Sequence, residues 1–212
     1  MKRGLLLGII GCMLFLSMPV AAQQTLPGYF TNLEEAKKNA LAVKQLDLNN
    51  FSGTLPTDWD VLFPNLESLS LQNDNLLEVP ASITRLKKLK VLNLSGNPIR
   101  TVPESMAQLT TLEELYLNND AALDLPQTLK ILAKLPKLKS LHLDNDGLVQ
   151  LPQELYALKQ LESLYLNNNK LPEIPRQLEG LPHLQYLEMR NNKLQPDVID
   201  TRNLNFGFKI QL

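Results

Sequence analysis

An α/β solenoid is the fold class this sequence predicts: a curved stack of coils with a concave parallel β-sheet, short convex helices or turns, an N-terminal helical cap and a C-terminal strand cap. Three observations predict it. A 23-residue pattern of aliphatic side chains returns without a gap, as in "LESLSLQNDNLLEVPASITRLKK" from Leu66 and "LKVLNLSGNPIRTVPESMAQLTT" from Leu89. Each unit contains an L-x-L alternation, the period of a strand with one buried face. Each then passes through a Pro-led stretch whose apolar residues step by three, as on a helical turn.

The composition fits one elongated domain. The chain has 212 residues, 44% hydrophobic and 20% charged, with a formal charge of −1. Setting aside Lys2 and Arg3 makes the remainder more acidic, because the first 22 residues contain no acid. Nothing in this balance attracts polyanions, so nucleic acid is excluded as an expected partner.

Residues 1–22 read as a signal peptide. Lys2 and Arg3 form the positive end, "LLLGIIGCMLFL" the apolar core, and Val20 and Ala22 the small-residue sites before Gln23. Two readings compete with cleavage there. "IIGC" ending at Cys12 resembles a bacterial lipobox, and the uncharged run from Gly4 to Ala22 approaches the length of a bilayer span. A lipidated Cys12 would leave "MLFLSM" where a polar tether is expected, which favours export with cleavage before Gln23. Cys12 is the single cysteine, so the cleaved chain has no disulfide, thiol nucleophile or thiolate ligand.

Residues 23–42 are the expected N-terminal cap. Thr31 and Glu34 fit a capping box, and "NLEEAKKNALAV" places Leu33, Ala36, Lys37, Ala40 and Leu41 at helical spacing. Seven repeats then fill 43–195, beginning at Val43, Leu66, Leu89, Leu112, Leu138, Leu161 and Leu184. The first reaches Pro56 one residue early and recovers the residue in "TDWDVLFPN", so register is kept. The fourth is longer by three, and "LPQTLKILAKLPK" reads as a longer convex helical turn. In residues 196–212, "NLNFGFKIQL" alternates Leu204, Phe206, Phe208, Ile210 and Leu212 with polar residues or Gly, which predicts a one-sided strand closing the stack. An uncovered terminal strand could instead pair with another chain.

The pattern L-x-x-L-x-L-x-x-N-x-L followed by "xxLPxxLxxLxx" resembles the leucine-rich repeat, in its common 23-residue class, as found in exported bacterial proteins. The resemblance implies a horseshoe whose concave sheet is the ligand surface. It also implies that the ninth residue of each repeat, here Asp74, Asn97, Asp120, Asp146, Asn169 and Asn192, belongs to a buried amide ladder. Asn accepts a backbone N–H and donates to a carbonyl; an ionised Asp can only accept, and its burial is costly. The acids are expected to receive N–H bonds from their own turns or from the amides of Asn97 and Asn169. Repulsion and desolvation should raise the pKa of Asp120 or Asp146. "DNDG" at 144–147 lacks the alternating ligands and distal Glu of a calcium loop, so the acids read as structural.

The outward strand positions carry the candidate site. The fifth residues are Asp47, Ser70, Asn93, Tyr116, His142, Tyr165 and Glu188, with Tyr186 nearby; the seventh and eighth include Asn118, Asn119, Asp144, Asn145, Asn167, Asn168, Arg190 and Asn191. Tyr116, His142, Tyr165, Tyr186, Glu188, Asn118, Asp144, Asn167 and Arg190 are the candidate ligand contacts, Tyr being a low-entropy anchor. The same aromatics could form a ladder that only stabilises the sheet. His142 is expected to be a solvated neighbour of the tyrosines and His183 a surface residue. Arg85, Lys87, Lys88, Glu104, Glu113 and Glu114 are expected on a solvated exterior.

No catalytic residue, metal ligand or cofactor is expected. The sequence lacks H-E-x-x-H, G-x-S-x-G and phosphate-binding glycine loops. Ser140, His142 and Asp144 share a face, but an open sheet offers no sequestered pocket or oxyanion hole. Two functions follow from the resemblance: an exported module binding a protein or peptide on its concave face, or a glycan-binding or adhesive protein using the tyrosines as stacking platforms.

Overall fold

The computed structural model describes residues 27–195 and 207–212; the proposed leader at 1–22 lies outside them. The sheet has nine parallel strands in chain order. They are β1 (Tyr29–Phe30), β2 (Gln45–Asp47), β3 (Ser68–Ser70), β4 (Val91–Asn93), β5 (Glu114–Tyr116), β6 (Ser140–His142), β7 (Ser163–Tyr165), β8 (Tyr186–Glu188) and β9 (Lys209–Gln211).

The register is set by the repeated leucines. Leu46, Leu69, Leu92, Leu115, Leu141, Leu164 and Leu187 lie side by side at the centres of β2 to β8, and Ile210 continues the row on β9. All seven leucines are 0–2% exposed, and the L-x-L partners Leu71, Leu94, Leu117, Leu143 and Leu166 are fully buried. Because strand side chains alternate, burying one face fixes which residues point into the hollow. The extra residues of the fourth unit do not disturb this, since Leu115 still pairs with Leu141.

The convex side differs between units as their sequences do. Four units turn through 3₁₀ segments, Ala81–Arg85, Glu104–Gln108, Gln153–Ala157 and Arg176–Gly180, each preceded by Pro80, Pro103, Pro152 or Pro175. Proline fixes the backbone entering the turn, and the short "xxLxxL" that follows has room for about one turn only. The longer fourth unit forms an α-helix, Leu125–Leu132, which buries Leu125, Leu129, Ile131 and Leu132 and is capped by Asp124 accepting the Gln127 N–H at 3.0 Å. We call it α3. The first unit forms α2 (Trp59–Leu62) and fills its part of the core with the fully buried Trp59 and Phe63.

At the N-terminal side α1 (Leu33–Lys38) buries Leu33 and Ala36. Asn32, and not Thr31, caps it: Asn32 Oδ1 accepts both the Glu34 and Glu35 N–H groups at 3.0 Å. The helix is also shorter than its spacing suggested, because Asn39 ends it and Ala40–Ala42 continue as a 3₁₀ turn. At the other side β9 adds to β8 in the same parallel sense. Among the described residues no helix is long and apolar enough to cross a membrane.

Two side-chain ladders stitch neighbouring coils together at the strand ends. In the ninth column, Asn97 Nδ2 donates to Leu71 O at 2.8 Å and Leu94 O at 2.7 Å, while its Oδ1 accepts the Asp74 and Leu76 N–H groups. Asn169 repeats this with Leu143 O, Leu166 O and the Asp146 and Leu148 N–H groups. The acids accept a backbone N–H from the preceding coil: Asp74 from Phe51, Asp120 from Asn97 and Asp146 from Asp120. The amides of Asn97 and Asn169 thus go to carbonyls, and the acids receive backbone N–H groups in place of side-chain amides.

Burial pushes the carboxyls of Asp120, Asp146 and Asp74 up to about 8, 7 and 6. Desolvation is the largest cause in each. The nearby charge of Asp146 adds to it at Asp120, and that of Asp144 at Asp146. Asp120 Oδ2 is buried without a hydrogen-bond partner. By register it lies where Asn97 presents its NH₂ to two carbonyls, a place suited to a donor and hostile to a carboxylate.

Candidate functional site

Residues three, five and seven of each repeat point into the hollow, and the parallel register lines them up in columns. Tyr116, His142, Tyr165 and Glu188 occupy successive rungs of one column, and Glu114, Ser140, Ser163 and Tyr186 the next. At strand spacing the rings must stack or splay. They stack: the Tyr116 and His142 centroids are 3.8 Å apart with planes 15° off parallel, and those of His142 and Tyr165 are 4.1 Å apart at 4°. Tyr186 leans on Tyr165 at 5.6 Å and 52°.

Two sequence expectations are corrected here. His142 is 3% exposed and not solvated, and Glu114 is equally buried and not part of a solvated exterior. Tyr116 Oη donates to Glu114 Oε1 at 2.7 Å, and His142 Nε2 lies 3.0 Å from the same oxygen. Glu114 thus ties two rings of the stack together, a role the leucine pattern does not reveal. Its signal was parity: Glu114 stands two residues before Tyr116 on one strand, so both face the hollow. Because both faces of His142 are covered by tyrosines, this ring is no platform for a sugar.

The remaining candidates fall into place around the stack. Arg190 Nε meets Glu188 Oε1 at 3.3 Å. Tyr186 Oη donates to Glu188 Oε2 at 3.2 Å and approaches Gln211 Oε1, while Lys209 Nζ sits 5.9 Å from the Tyr186 ring centre. Burial raises the phenol pKa of Tyr165 and of Tyr186, the Glu188 charge contributing to both. Asn118, Asp144 and Asn167 each use one side-chain oxygen to accept the backbone N–H of the next coil, at 2.6–2.8 Å. Burial likewise raises the pKa of Asp144, opposed by the Asn167 N–H and by His142.

Asn119, Asn145, Asn168 and Asn191 have a backbone reason for their identity that the sequence did not disclose. They and Asn50 and Asn73 adopt left-handed φ of 56–62° at the eighth position of their repeats. Asn tolerates this region best among side-chain-bearing residues, and the one repeat without Asn there has Gly96, at φ 70°. A Cβ on Gly96 would fall 1.9 Å from Asn73 Oδ1, so a larger residue there requires the Asn73 side chain to turn aside.

The face shows no catalytic linkage. Ser140 Oγ has no hydrogen-bond partner, and His142 Nε2 lies against Glu114 Oε1. Among the described residues no three His, Cys, Asp or Glu side chains are placed to hold a metal ion.

The model of the leucine rich repeat family matches residues 64–121 and 136–194, together more than half of the chain. The chain belongs to the leucine-rich repeat family. No curated protein sequence matches it significantly. Among solved structures, a leucine-rich repeat protein of Leptospira interrogans superposes with a TM-score of 0.57 at 24% identity, covering 87% of this chain and 58% of that one. Internalin C2 of Listeria monocytogenes gives 0.58 at 25%, covering 86% and 76%. A TLR13–ssRNA13 complex gives 0.63 at 25%, covering 80% and 25%. The chain therefore spans well under two thirds of the Leptospira protein's length. The leucine-rich repeat is commonly a protein-interaction module, and typically a non-catalytic one.

Proposed function

We propose that this chain is an exported, non-catalytic binding protein that holds a protein or peptide on the C-terminal half of its concave face. The observation that carries the reading is the convergence there of aromatic and charged groups: the Tyr116–His142–Tyr165 stack, flanked by Tyr186, Glu188 and Arg190 on one side and by Asn118, Asp144 and Asn167 on the other. Tyr116 and Tyr165 are only 7% exposed, so a partner meets chiefly the polar groups around the stack; stacking holds the rings rigid before anything binds, which lowers the entropy lost on association. A peptide suits this surface better than a glycan, since His142 offers no free ring face. The RNA of the TLR13 neighbour is not carried over, because 21 basic residues here are offset by 22 acidic ones.

Affinity capture with the full chain from the host's own envelope and medium tests the reading. Binding is lost in a Tyr116→Ser/Tyr165→Ser variant whose circular dichroism shows the sheet intact. A captured partner that binds this variant unchanged refutes the concave face as the site. Export is tested separately: the intact mass of the protein outside the cell corresponds to a chain starting at Gln23, whereas a diacylglyceryl-modified Cys12 or an uncut leader overturns that start.

A further inference from the structure

What a partner meets in the hollow is what stands exposed there, and at the C-terminal lip that is one ring and two cations. Tyr116 and Tyr165 are 7% exposed and His142 3%, whereas Tyr186 is only partly buried. Two exposed cations accompany it: Lys209 pairs with Tyr186 across the β8–β9 rungs, and Arg190 stands two residues past the end of β8. The other rungs offer no such charge. Residues three, five and seven of the first six repeats include Asp47, Glu114 and Asp144 but neither Lys nor Arg. The positive charge of the hollow is therefore gathered at one end.

The hydrogen-bonding capacity left over at this lip is mostly that of donors. Both oxygens of Glu188 are taken, Oε1 by Arg190 Nε at 3.3 Å and Oε2 by the Tyr186 hydroxyl at 3.2 Å, and the Glu188 side chain is only 14% exposed. The Arg190 side chain is 48% exposed. A guanidinium carries its N–H groups in a planar fork, and with Nε turned to Glu188 both terminal nitrogens remain. Among the described residues nothing accepts from them. Lys209 Nζ lies 5.9 Å from the Tyr186 ring centre, and among the described residues it too has no hydrogen bond or ion pair. Burial and then the Glu188 charge raise the Tyr186 phenol, and Arg190 opposes them, so guanidinium and ring are close enough to feel each other. One inward-turned carboxylate against two cations leaves the lip positive, and Glu188 fixes the direction of the fork.

We propose that the C-terminal lip of the hollow reads an acidic segment of a partner protein, Arg190 gripping one carboxylate with its two terminal nitrogens and Lys209 drawing a second. This inference rests on the reading of the concave face as the binding surface and adds the partner's chemistry. A carboxylate meets the guanidinium fork in two parallel hydrogen bonds, which an ammonium cannot imitate. It needs donors and offers none, which suits a lip whose own acceptor is already occupied. Asp144 stands in the Arg190 column two rungs back, about 9.6 Å away, and turns the acidic end of the segment toward β9.

Random dodecapeptides displayed on phage and selected on the full chain test this. The expected pools are enriched in Asp and Glu, and a synthetic peptide from them binds more weakly as sodium chloride rises from about 0.05 to about 0.5 M. Arg190→Gln/Lys209→Gln lowers its affinity about tenfold. Both side chains are exposed, and an unchanged melting curve shows that the fold is intact. Arg190→Lys keeps the charge and loses about threefold, because the fork is gone. Pools without acidic enrichment, affinity unchanged in Arg190→Gln/Lys209→Gln, or full affinity in Arg190→Lys overturn the inference. Equal affinity for a random-sequence DNA oligonucleotide assigns the lip to phosphate and overturns it as well. Peptides without acids that are still lost on Tyr116→Ser/Tyr165→Ser leave the concave face as the binding surface and remove only its acid specificity. Peptides that survive both sets of replacements remove both.

Discussion

Asp120→Asn should make the protein more stable, and the size of the gain should depend on pH. The Asp120 side chain is 2% exposed, its Oδ2 has no partner, and burial lifts its pKa from 3.8 to about 8. Between those two values the folded chain binds a proton that the unfolded chain has released, so stability falls as pH rises through this window and levels off above about 8. From 3.8 to pH 7 is a little over three pH units at about 1.4 kcal/mol each, or roughly 4 kcal/mol drawn from the fold at neutral pH. Asn needs no proton, and its NH₂ would face two carbonyls as that of Asn97 does. After relaxation around the acid, a recovery of about 2–4 kcal/mol is expected at pH 7, raising Tm by about 5–15 °C. Near pH 4 both forms are neutral, and the gain shrinks to the one extra hydrogen bond, about 1 kcal/mol or less. Melting followed by circular dichroism at pH 4, 6 and 8 reads both numbers. A variant that melts below the parent at pH 7, or whose gain is the same at pH 4 and pH 8, refutes a neutral buried carboxyl at this position.

Asp146→Asn should act in the same direction but less strongly, because its pKa is raised only to about 7. Adding millimolar calcium should leave the melting curve of the parent where it is; a calcium-dependent rise would reassign these acids. Leu92→Ala should cost about 2–5 kcal/mol, read as a lower urea midpoint with an unchanged slope, since a fully buried rung of the leucine row leaves a cavity between two coils. Gly96→Ala should destabilise by more than about 1 kcal/mol through left-handed strain and the clash with Asn73 Oδ1, and a further Asn73→Ala should recover part of that loss.

The fold was legible because burial in a repeat is written many times over. One Leu92 says little, but seven leucines in one slot fix strand, face and register at once. The longer fourth unit was equally legible, since three added residues with another apolar step leave room for a helix such as α3. The N-cap was misplaced by one residue because Thr31 and Asn32 both suit the role, and the chain's entry direction, which decides between them, is not a local property. The site was only partly legible. Parity placed Tyr116, His142 and Tyr165 on one face, but a charge pattern cannot tell the buried Glu114 from its solvated neighbour Glu113 without knowing which side of the strand is crowded. Asn119, Asn145, Asn168 and Asn191 stood out only as polar positions flanking the candidate contacts, because an amide that serves a backbone angle and an amide that serves a partner are spelled alike.

The unbroken agreement between strand order and chain order has a kinetic consequence. Every rung from β1 to β9 is laid directly upon its predecessor and needs, of what comes later in the polypeptide, only the next coil to accept its N–H groups. A chain emerging end-first through a narrow exit could therefore wind up turn by turn, each finished loop serving as the template for the next. Only the newest turn would stand with its leucines uncovered at any moment.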